Sequence, residues 1–386
     1  MFLFAVTIYT KLDAFTLIMQ EEGKARFTIG KAFFRPENRI VRDLGVLAAA
    51  IYRQEMGQLR ILDAMAGCGV RSLRYWLESG ANWILSNEGN PDRRSLLEAN
   101  LHAAIASQQG KVTCENAHRL FFRCFDRKDY YDLVDVDGFG SVAPYLSTSL
   151  WATKIGGLIY LTSTDGRTGT GHLPQNSLAN YGAYARSHPA AQEQALRLII
   201  GAMQQQTASQ GKGIQPIFSF YIGETYRIMV RLLSQQQIAP ENYGFLGYCH
   251  ACGEYETISW RKLGQCICSC DRTPLTLTGP MWLGVLHDRL TLKKMQNLAR
   301  EWDWNACVEL LEIMIGEADF PPYFYTLGEI GRRGKMDIPP RSRLIEALKN
   351  RGDRATITHI NPEAIKTDAD MVTCIKVARS LNSKLP

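Results

Sequence analysis

Tyr131-Asp132-Leu133-Val134-Asp135-Val136-Asp137-Gly138-Phe139-Gly140-Ser141 is the stretch on which the reading of this chain turns. Its first four residues read as the end of a buried parallel strand. A carboxylate, a glycine and an aromatic residue follow at the strand's carboxyl end, where open α/β sheets carry their chemistry. An acidic side chain there can accept a hydrogen bond from an exocyclic amine, and a neighbouring aromatic ring can stack on a flat one. Asp137 and Phe139 therefore describe a place to hold a nucleobase by its amino group. The plain alternative is an Asp-Gly turn capping a strand, and what decides between them lies upstream.

There, Arg60-Ile61-Leu62-Asp63-Ala64-Met65-Ala66-Gly67-Cys68-Gly69-Val70-Arg71 predicts a strand, a glycine turn and a helix beginning near Val70. Small residues at Ala66, Gly67 and Gly69 let the backbone approach a ligand. The third glycine of a dinucleotide fingerprint is missing, since Ser72 stands in its place. The next strand, Trp83 to Asn87, ends at Glu88, about twenty residues past the loop, where an acid suits the hydroxyls of a ribose. Loop and acid together favour an adenosine-bearing cofactor. Asn116-Ala117, after a short strand at Val112–Cys114, occupies the turn where such folds read adenine.

Working outward, Leu44 to Tyr52 has helical apolar spacing. If that helix reaches back over Arg39 and Arg42, the two share a face, as a binding surface or as a solvated basic one. A helix at Pro91–Ala104 and another around Leu146–Ala152 alternate with strands, and Gly157–Thr162 leads into a Gly/Thr-rich loop running to His172. A helix at Gln192–Gln204 and strands at Ile217–Tyr221 and Thr225–Leu232 complete an α/β unit near residue 235.

Composition bounds the rest. At 386 residues with 46% hydrophobic content the chain is long enough for two domains and a full core. A net charge of +6 leans mildly towards nucleic acid. Met1 to Tyr9 is apolar but lacks a basic leader and a cleavage site, and no run is long enough to span a membrane. Residues 1–18 read as an optional extension ahead of Met19.

Ten cysteines are few for this length, and five of them fall between Cys249 and Cys270. Metal binding in a reducing cytoplasm fits better than a disulfide framework. Cys249-His250-Ala251-Cys252 faces Cys266-Ile267-Cys268-Ser269-Cys270 across thirteen residues, a spacing that signals structural tetrahedral zinc. The favoured ligands are Cys249, Cys252 and Cys270, with Cys266 or Cys268 as the fourth. Beyond Gly279 a second domain opens with helices at Leu290–Trp302 and Ala306–Gly316, then a helix at Ser342–Asn350 and strands near Ala355–Ile360 and Ile365–Thr367. Between Thr326 and Thr367 stand nine Lys/Arg against five acids, a basic surplus that suits phosphate contact, with Arg332, Arg333 and Lys335 in its most basic run. A merely solvated face is the alternative.

These pieces resemble one family over nearly the whole chain, the tRNA (guanine-26-N2)-dimethyltransferases that use S-adenosylmethionine. The motifs are EGKA at 22–25, FFRPENRIVRD at 33–43, DAMAGCGVR at 63–71, DVDGFGS at 135–141, TSTDG at 162–166, GPMWLG at 279–284, IGRRGK at 330–335 and ATITHINPEAIKT at 355–367. The resemblance implies a Rossmann-like class I methyltransferase sheet with a smaller α+β C-terminal domain and a zinc-knuckle insertion. It implies a catalytic domain over 1–240, a cysteine module over 241–278 and a tRNA-binding domain over 279–386. It makes Asp137 the catalytic carboxylate and has Phe139 shape the guanine pocket. Arg42 and Arg71 hold the cofactor's methionine carboxylate, Glu88 its ribose, Asn116 and Ala117 its adenine, and Asp63 and Gly67 line the loop. The partner it implies is tRNA, with no membrane and no obligate protein partner evident. Gly138 and Val142 stand where the family's motif carries prolines.

Three other classes meet the same motifs less well. A nicotinamide-dependent oxidoreductase lacks its third glycine here, and a DNA amino-methyltransferase fits the RNA-type resemblance poorly. A non-catalytic, zinc-containing tRNA-binding protein rests on the loss of the two prolines.

Overall fold

The computed structural model describes residues 19–270 and 272–382; the optional extension at 1–18 lies outside them. The described chain opens on a hairpin, β1 (Met19–Glu22) and β2 (Ala25–Thr28). Then β3 (Arg60–Asp63), β4 (Trp83–Asn87), β5 (Gly110–Thr113), β6 (Tyr131–Val136), β7 (Thr153–Ser163), β8 (Gly213–Ile222) and β9 (Thr225–Leu233) form a seven-stranded sheet ordered β5-β4-β3-β6-β7-β9-β8. The first five strands in that order are parallel, and β9 and β8 join as an antiparallel pair. The strand order reverses between β3 and β6, so the carboxyl ends of those two strands face the crevice that such sheets use for ligands. Every residue of β6 is buried, because helices cover both of its faces.

One face packs Leu44 and Leu47 of the helix Arg39–Met56 against Leu133, Phe218 and Met229. The helices Arg289–Glu301 and Asn305–Glu317 bring Leu292, Met295 and Leu311 into that same cluster. The other face is covered by the helices Ala117–Asp126 and Ala191–Ala208, with Leu120, Phe121, Leu196 and Ile200 against Val134 and Val136. The helices expected to open a second domain thus complete the first sheet's own core.

Past residue 240, β10 (Tyr243–Tyr248), β11 (Tyr255–Ile258) and β12 (Thr276–Trp282) form an antiparallel sheet, ordered β11-β10-β12, that carries the cysteines. The expected break at 278/279 falls inside β12. A third small sheet, β13 (Tyr325–Thr326), β14 (Ala355–Ile357) and β15 (Ala364–Thr367), packs with the helices Leu327–Gly334, Arg341–Asn350 and Met371–Asn382. Leu246, Tyr255, Tyr325, Leu344 and Leu348 belong to the same core cluster as Val134 and Leu196, so one core runs through all three regions. Among the described residues no helix is long and apolar enough to cross a membrane.

Candidate active site at the carboxyl edge of the sheet

The β3 turn is built as its composition requires. Gly67 and Gly69 have φ of +57° and +83°, which side chains rarely adopt, and a Cβ on Gly69 would lie 2.7 Å from Leu97. Gly69 caps the helix Val70–Glu78. The missing third glycine has a specific replacement: Ser72 is fully buried, donates to Asp63 Oδ2 at 2.7 Å and accepts from Ser86 at 2.6 Å. Glu88 ends β4 and folds back on the loop, its Oε2 accepting from the Gly67 amide at 3.0 Å and its Oε1 from the Asn90 amide at 3.0 Å. Asn116 caps the helix Ala117–Asp126 through its Oδ1, which accepts from the His118 amide, and Ala117 opens that helix.

Asp137 stands just beyond β6, and two buried arginines hold it. Arg71 Nε donates to its Oδ2 at 2.8 Å, and Arg227 Nη1 lies 3.2 Å from its Oδ1. Arg71 Nη1 also donates to Asp135 at 2.9 Å, and the Tyr75 hydroxyl donates to the same oxygen at 2.6 Å. Both guanidiniums sit over the Tyr160 ring, 5.5 and 5.9 Å from its centroid. The Tyr160 hydroxyl is anchored on the Val41 carbonyl.

Burial alone would raise the pKa of Asp137. The charges of Arg227 and Arg71 outweigh it, with help from the Thr162 hydroxyl, and hold the carboxyl well below the usual carboxylate range. Asp63 and Asp135 go the other way: burial pushes both pKa values up, opposed at Asp135 by Arg71 and reinforced at Asp63 by the Asp135 charge. One carboxylate of the three is thus a fixed anion, and it is the one nearest solvent.

Phe139 is 93% exposed, two residues from that anion. Gly138 has a physical account: a Cβ there would lie 3.0 Å from Met65 Sδ, so the Met65 thioether fills space a ring would need. Val142 is buried in the core. The turn is held instead by β7, with the Gly140 amide donating to Thr164 Oγ1 at 2.7 Å and the Thr164 amide to the Gly140 carbonyl at 2.9 Å.

Arg42 is engaged within the protein: its Nε and Nη2 donate to Glu22 at 2.7 and 2.5 Å, and Nη2 also to the Arg35 carbonyl. Glu22 pairs in turn with the fully buried Arg74, so this network seats the first hairpin on two helices, while Arg39 stays exposed. Arg71 is committed to Asp135 and Asp137, and its Nη2, buried and without a hydrogen-bond partner among the described residues, is left for a ligand.

The thiols that gather are Cys249, Cys252 and Cys268, with Cys252 and Cys268 Sγ 3.4 Å apart. The Cys266 thiol is turned to the Lys262 and Leu263 carbonyls, and Cys270 is exposed. Arg333 is tucked inward, its side chain 8% exposed, donating to Glu329, the Ala251 and His250 carbonyls and the Tyr248 hydroxyl. It docks the helix Leu327–Gly334 on the cysteine module, while Arg332 and Lys335 remain exposed.

Arg227 and Tyr160 were missed by sequence reasoning. The available signal was a pair of arginines, Arg227 and Arg231, inside the mostly apolar strand β9.

The family described as N2,N2-dimethylguanosine tRNA methyltransferase matches residues 16–379 of this chain. The chain belongs to that family. The tRNA (guanine(26)-N(2))-dimethyltransferase of Saccharolobus solfataricus is 28% identical over 93% of this chain and 94% of its own length. The enzyme of that name from Archaeoglobus fulgidus is also 28% identical, over 93% of this chain and 98% of its own. Trm1 from Pyrococcus horikoshii, solved in complex with S-adenosyl-L-methionine, superposes with a TM-score of 0.82 at 26% identity, covering 94% of this chain and 99% of that one. The family's catalytic activity, S-adenosylmethionine-dependent N2-methylation of tRNA guanosine, is the chain's own class of activity, and the non-catalytic alternative finds no support.

Proposed function

We propose that the chain transfers methyl groups from S-adenosylmethionine to the exocyclic N2 of guanosine 26 in tRNA, with Asp137 as the catalytic carboxylate and Phe139 stacking on the base. The observation that carries this reading is an anion held by two buried guanidiniums beside a fully exposed aromatic ring. The cofactor fits the residues present. Gly67 leaves its loop open, Glu88 is locked against that loop, and Asp63 Oδ1 and Arg71 Nη2 are buried polar atoms lacking hydrogen-bond partners among the described residues. Glu88 would take the ribose, Asn116 and Ala117 the adenine edge, and Arg71 Nη2 the methionine carboxylate.

When bound, the cofactor supplies an electrophilic sulfonium methyl. The guanine N2 lone pair is delocalised into the ring, so the protein's task is to localise and aim it. Asp137 accepts a hydrogen bond from the amine, which favours pyramidal nitrogen and turns the lone pair outward. Arg71 and Arg227 are positioning residues that keep this acceptor ionised and immobile, and such fixed geometry supplies most of the acceleration. A carboxylate with so depressed a pKa is a poor resting place for a proton. Methylated N2 is cationic and acidic enough to lose its proton to a weak base. The nucleotide rotates out of its stack onto Phe139 to reach Asp137.

Residues 1–240 would carry catalysis, and the regions 241–278 and 279–386 would read tRNA shape and backbone, with Arg332 and Lys335 at phosphates. Cys249, Cys252 and Cys268 suit zinc: the Cys252 amide points at Cys249 Sγ and the Cys270 amide at Cys268 Sγ, as in thiolate knuckles. The exposed Cys270 is the natural fourth ligand. Thiols held this way suit a reducing cytoplasm.

The test is methyl transfer from labelled S-adenosylmethionine into unmodified tRNA, with nucleoside analysis. Wild type should yield N2-methylated guanosine at position 26, and Asp137→Ala should fall by roughly 10³-fold while retaining cofactor binding. Product elsewhere on the tRNA, or an unimpaired Asp137→Ala, overturns the assignment.

A further inference from the structure

Away from the sheet edge, three buried side chains from distant parts of the chain meet. His287 lies between β12 and the helix Arg289–Glu301, Glu317 ends the helix Asn305–Glu317, and His359 sits in the turn between β14 and β15. One donor atom from each lies within 4.8 Å of the others. Ligand atoms of a tetrahedral zinc ion stand about 3.4 Å apart, so a small closure of the side chains would reach coordination spacing.

The unused donors point the same way. His287 Nδ1, His359 Nε2 and Glu317 Oε2 are buried and have no hydrogen-bond partner among the described residues. Buried polar atoms are rarely left so. His359 Nδ1 and its main-chain amide both face Glu317 Oε1. The rings are fixed in orientation: His359 stacks on Phe220, 5.9 Å between centroids at 18°, and stands edge-on to His287 at 5.2 Å.

Two cations border the cluster, and both are engaged elsewhere. Lys366 Nζ donates to Glu193 at 2.7 Å and to the Pro321 carbonyl at 3.0 Å. Arg197 pairs with the same Glu193 and donates to the Trp282 and Gly284 carbonyls. Glu193 answers those charges, so the group in contact with Glu317 is His359 of the cluster itself.

We infer that His287, Glu317 and His359 form a binding site for a divalent first-row transition-metal ion, zinc by default, separate from the cysteine cluster. Two imidazoles and a carboxylate suit zinc, iron, manganese or cobalt, and are too nitrogen-rich for calcium or magnesium. Glu317 Oε1 is already engaged by His359, so the three residues offer one donor atom each. The ion would tie the segment after β12, the end of a helix on the first sheet's face and the β14–β15 turn into one body.

The experiment uses the full chain with Cys249→Ser and Cys252→Ser, stripped of metal and titrated with Co2+. The expected result is one equivalent bound with visible d–d bands, no thiolate-to-cobalt charge transfer and a raised melting temperature, all lost on adding Glu317→Gln. No d–d band and no thermal shift in that cysteine variant overturns the site. Should the serine variant not fold, elemental analysis of the wild type against Glu317→Gln decides. One metal ion fewer per chain in Glu317→Gln supports the site, and equal counts overturn it.

Discussion

At the carboxyl end of β6, Asp137 is gripped by Arg71 from the helix after β3 and by Arg227 from β9, two elements of one regular sheet. In the cysteine module, Cys249, Cys252 and Cys268 are gathered by loops around a three-stranded antiparallel sheet, and among the described residues their small cluster has only Ile258 and Leu275 as buried apolar companions. The first region has a continuous apolar core beneath it and uses charge to set a functional group. The second has little core of its own and leans on side-chain cross-links such as Arg333. Damage to the first should therefore appear in turnover and damage to the second in stability.

The largest departure from that contrast would come from Arg227. Arg227→Met should lower kcat on the order of 10²-fold, the cost of a misplaced catalytic group. The pKa of Asp137 should also rise. In the wild type the depressed pKa keeps the carboxylate ionised, and its stabilisation is lost only as pH falls well below the usual aspartate range. The acid limb of the pH–rate profile should therefore move upward in Arg227→Met and partly return in Arg227→Lys. An unchanged profile would mean that Arg71 alone sets the anion.

Cys252→Ser, or a strong chelator, should lower the melting temperature by about 5–10 °C, since metal-binding energy is folding energy in such modules. S-adenosylmethionine affinity, read by calorimetry, should stay within about twofold, as surface loops far from a site seldom couple to it. A large loss of cofactor binding would dissolve the contrast between the regions.

Two neighbouring cations sharpen it within the C-terminal part. Arg333→Ala should cost about 2–3 kcal/mol of stability, because its donors serve buried or half-buried acceptors. Lys335→Ala should leave stability alone, weaken tRNA binding a few-fold and reduce the salt dependence by about one phosphate contact.

The smallest expected effect is at Asp63. Its pKa is raised by burial first and by Asp135 next, so its contribution to stability is complete below pH ~4 and is lost as pH rises through the raised value. Asp63→Asn should give a flatter stability profile between acid and neutral pH in denaturant melts. A profile as steep as wild type would place the titration on Asp135 alone.

Much of the site was legible because its parts are local. Asp63 with the glycine turn, Glu88 at the end of β4, and Asp137 with Phe139 each sit at a strand end within a few residues of the pattern that announces it. Strand-turn-helix units fold the same way wherever they occur. Ser72 was legible only as an absence, the missing third glycine, and its bond to Asp63 explains that absence.

What the residues alone determined is a parallel α/β sheet with its carboxylate and aromatic at the switch point, a cysteine module and a basic C-terminal region. Only the tertiary structure decided who pairs with whom. It drew Arg227 from β9 to Asp137, and it turned Arg42 to Glu22 and Arg333 inward. It chose Cys268 over Cys266, and it packed the helices after residue 289 on the first sheet. The reason is the same in each case. Periodicity and turn chemistry report the path of the backbone, which is local. The partner of a buried charge or thiol depends on which remote segments the core brings within a few ångströms, and no short stretch of sequence contains that distance.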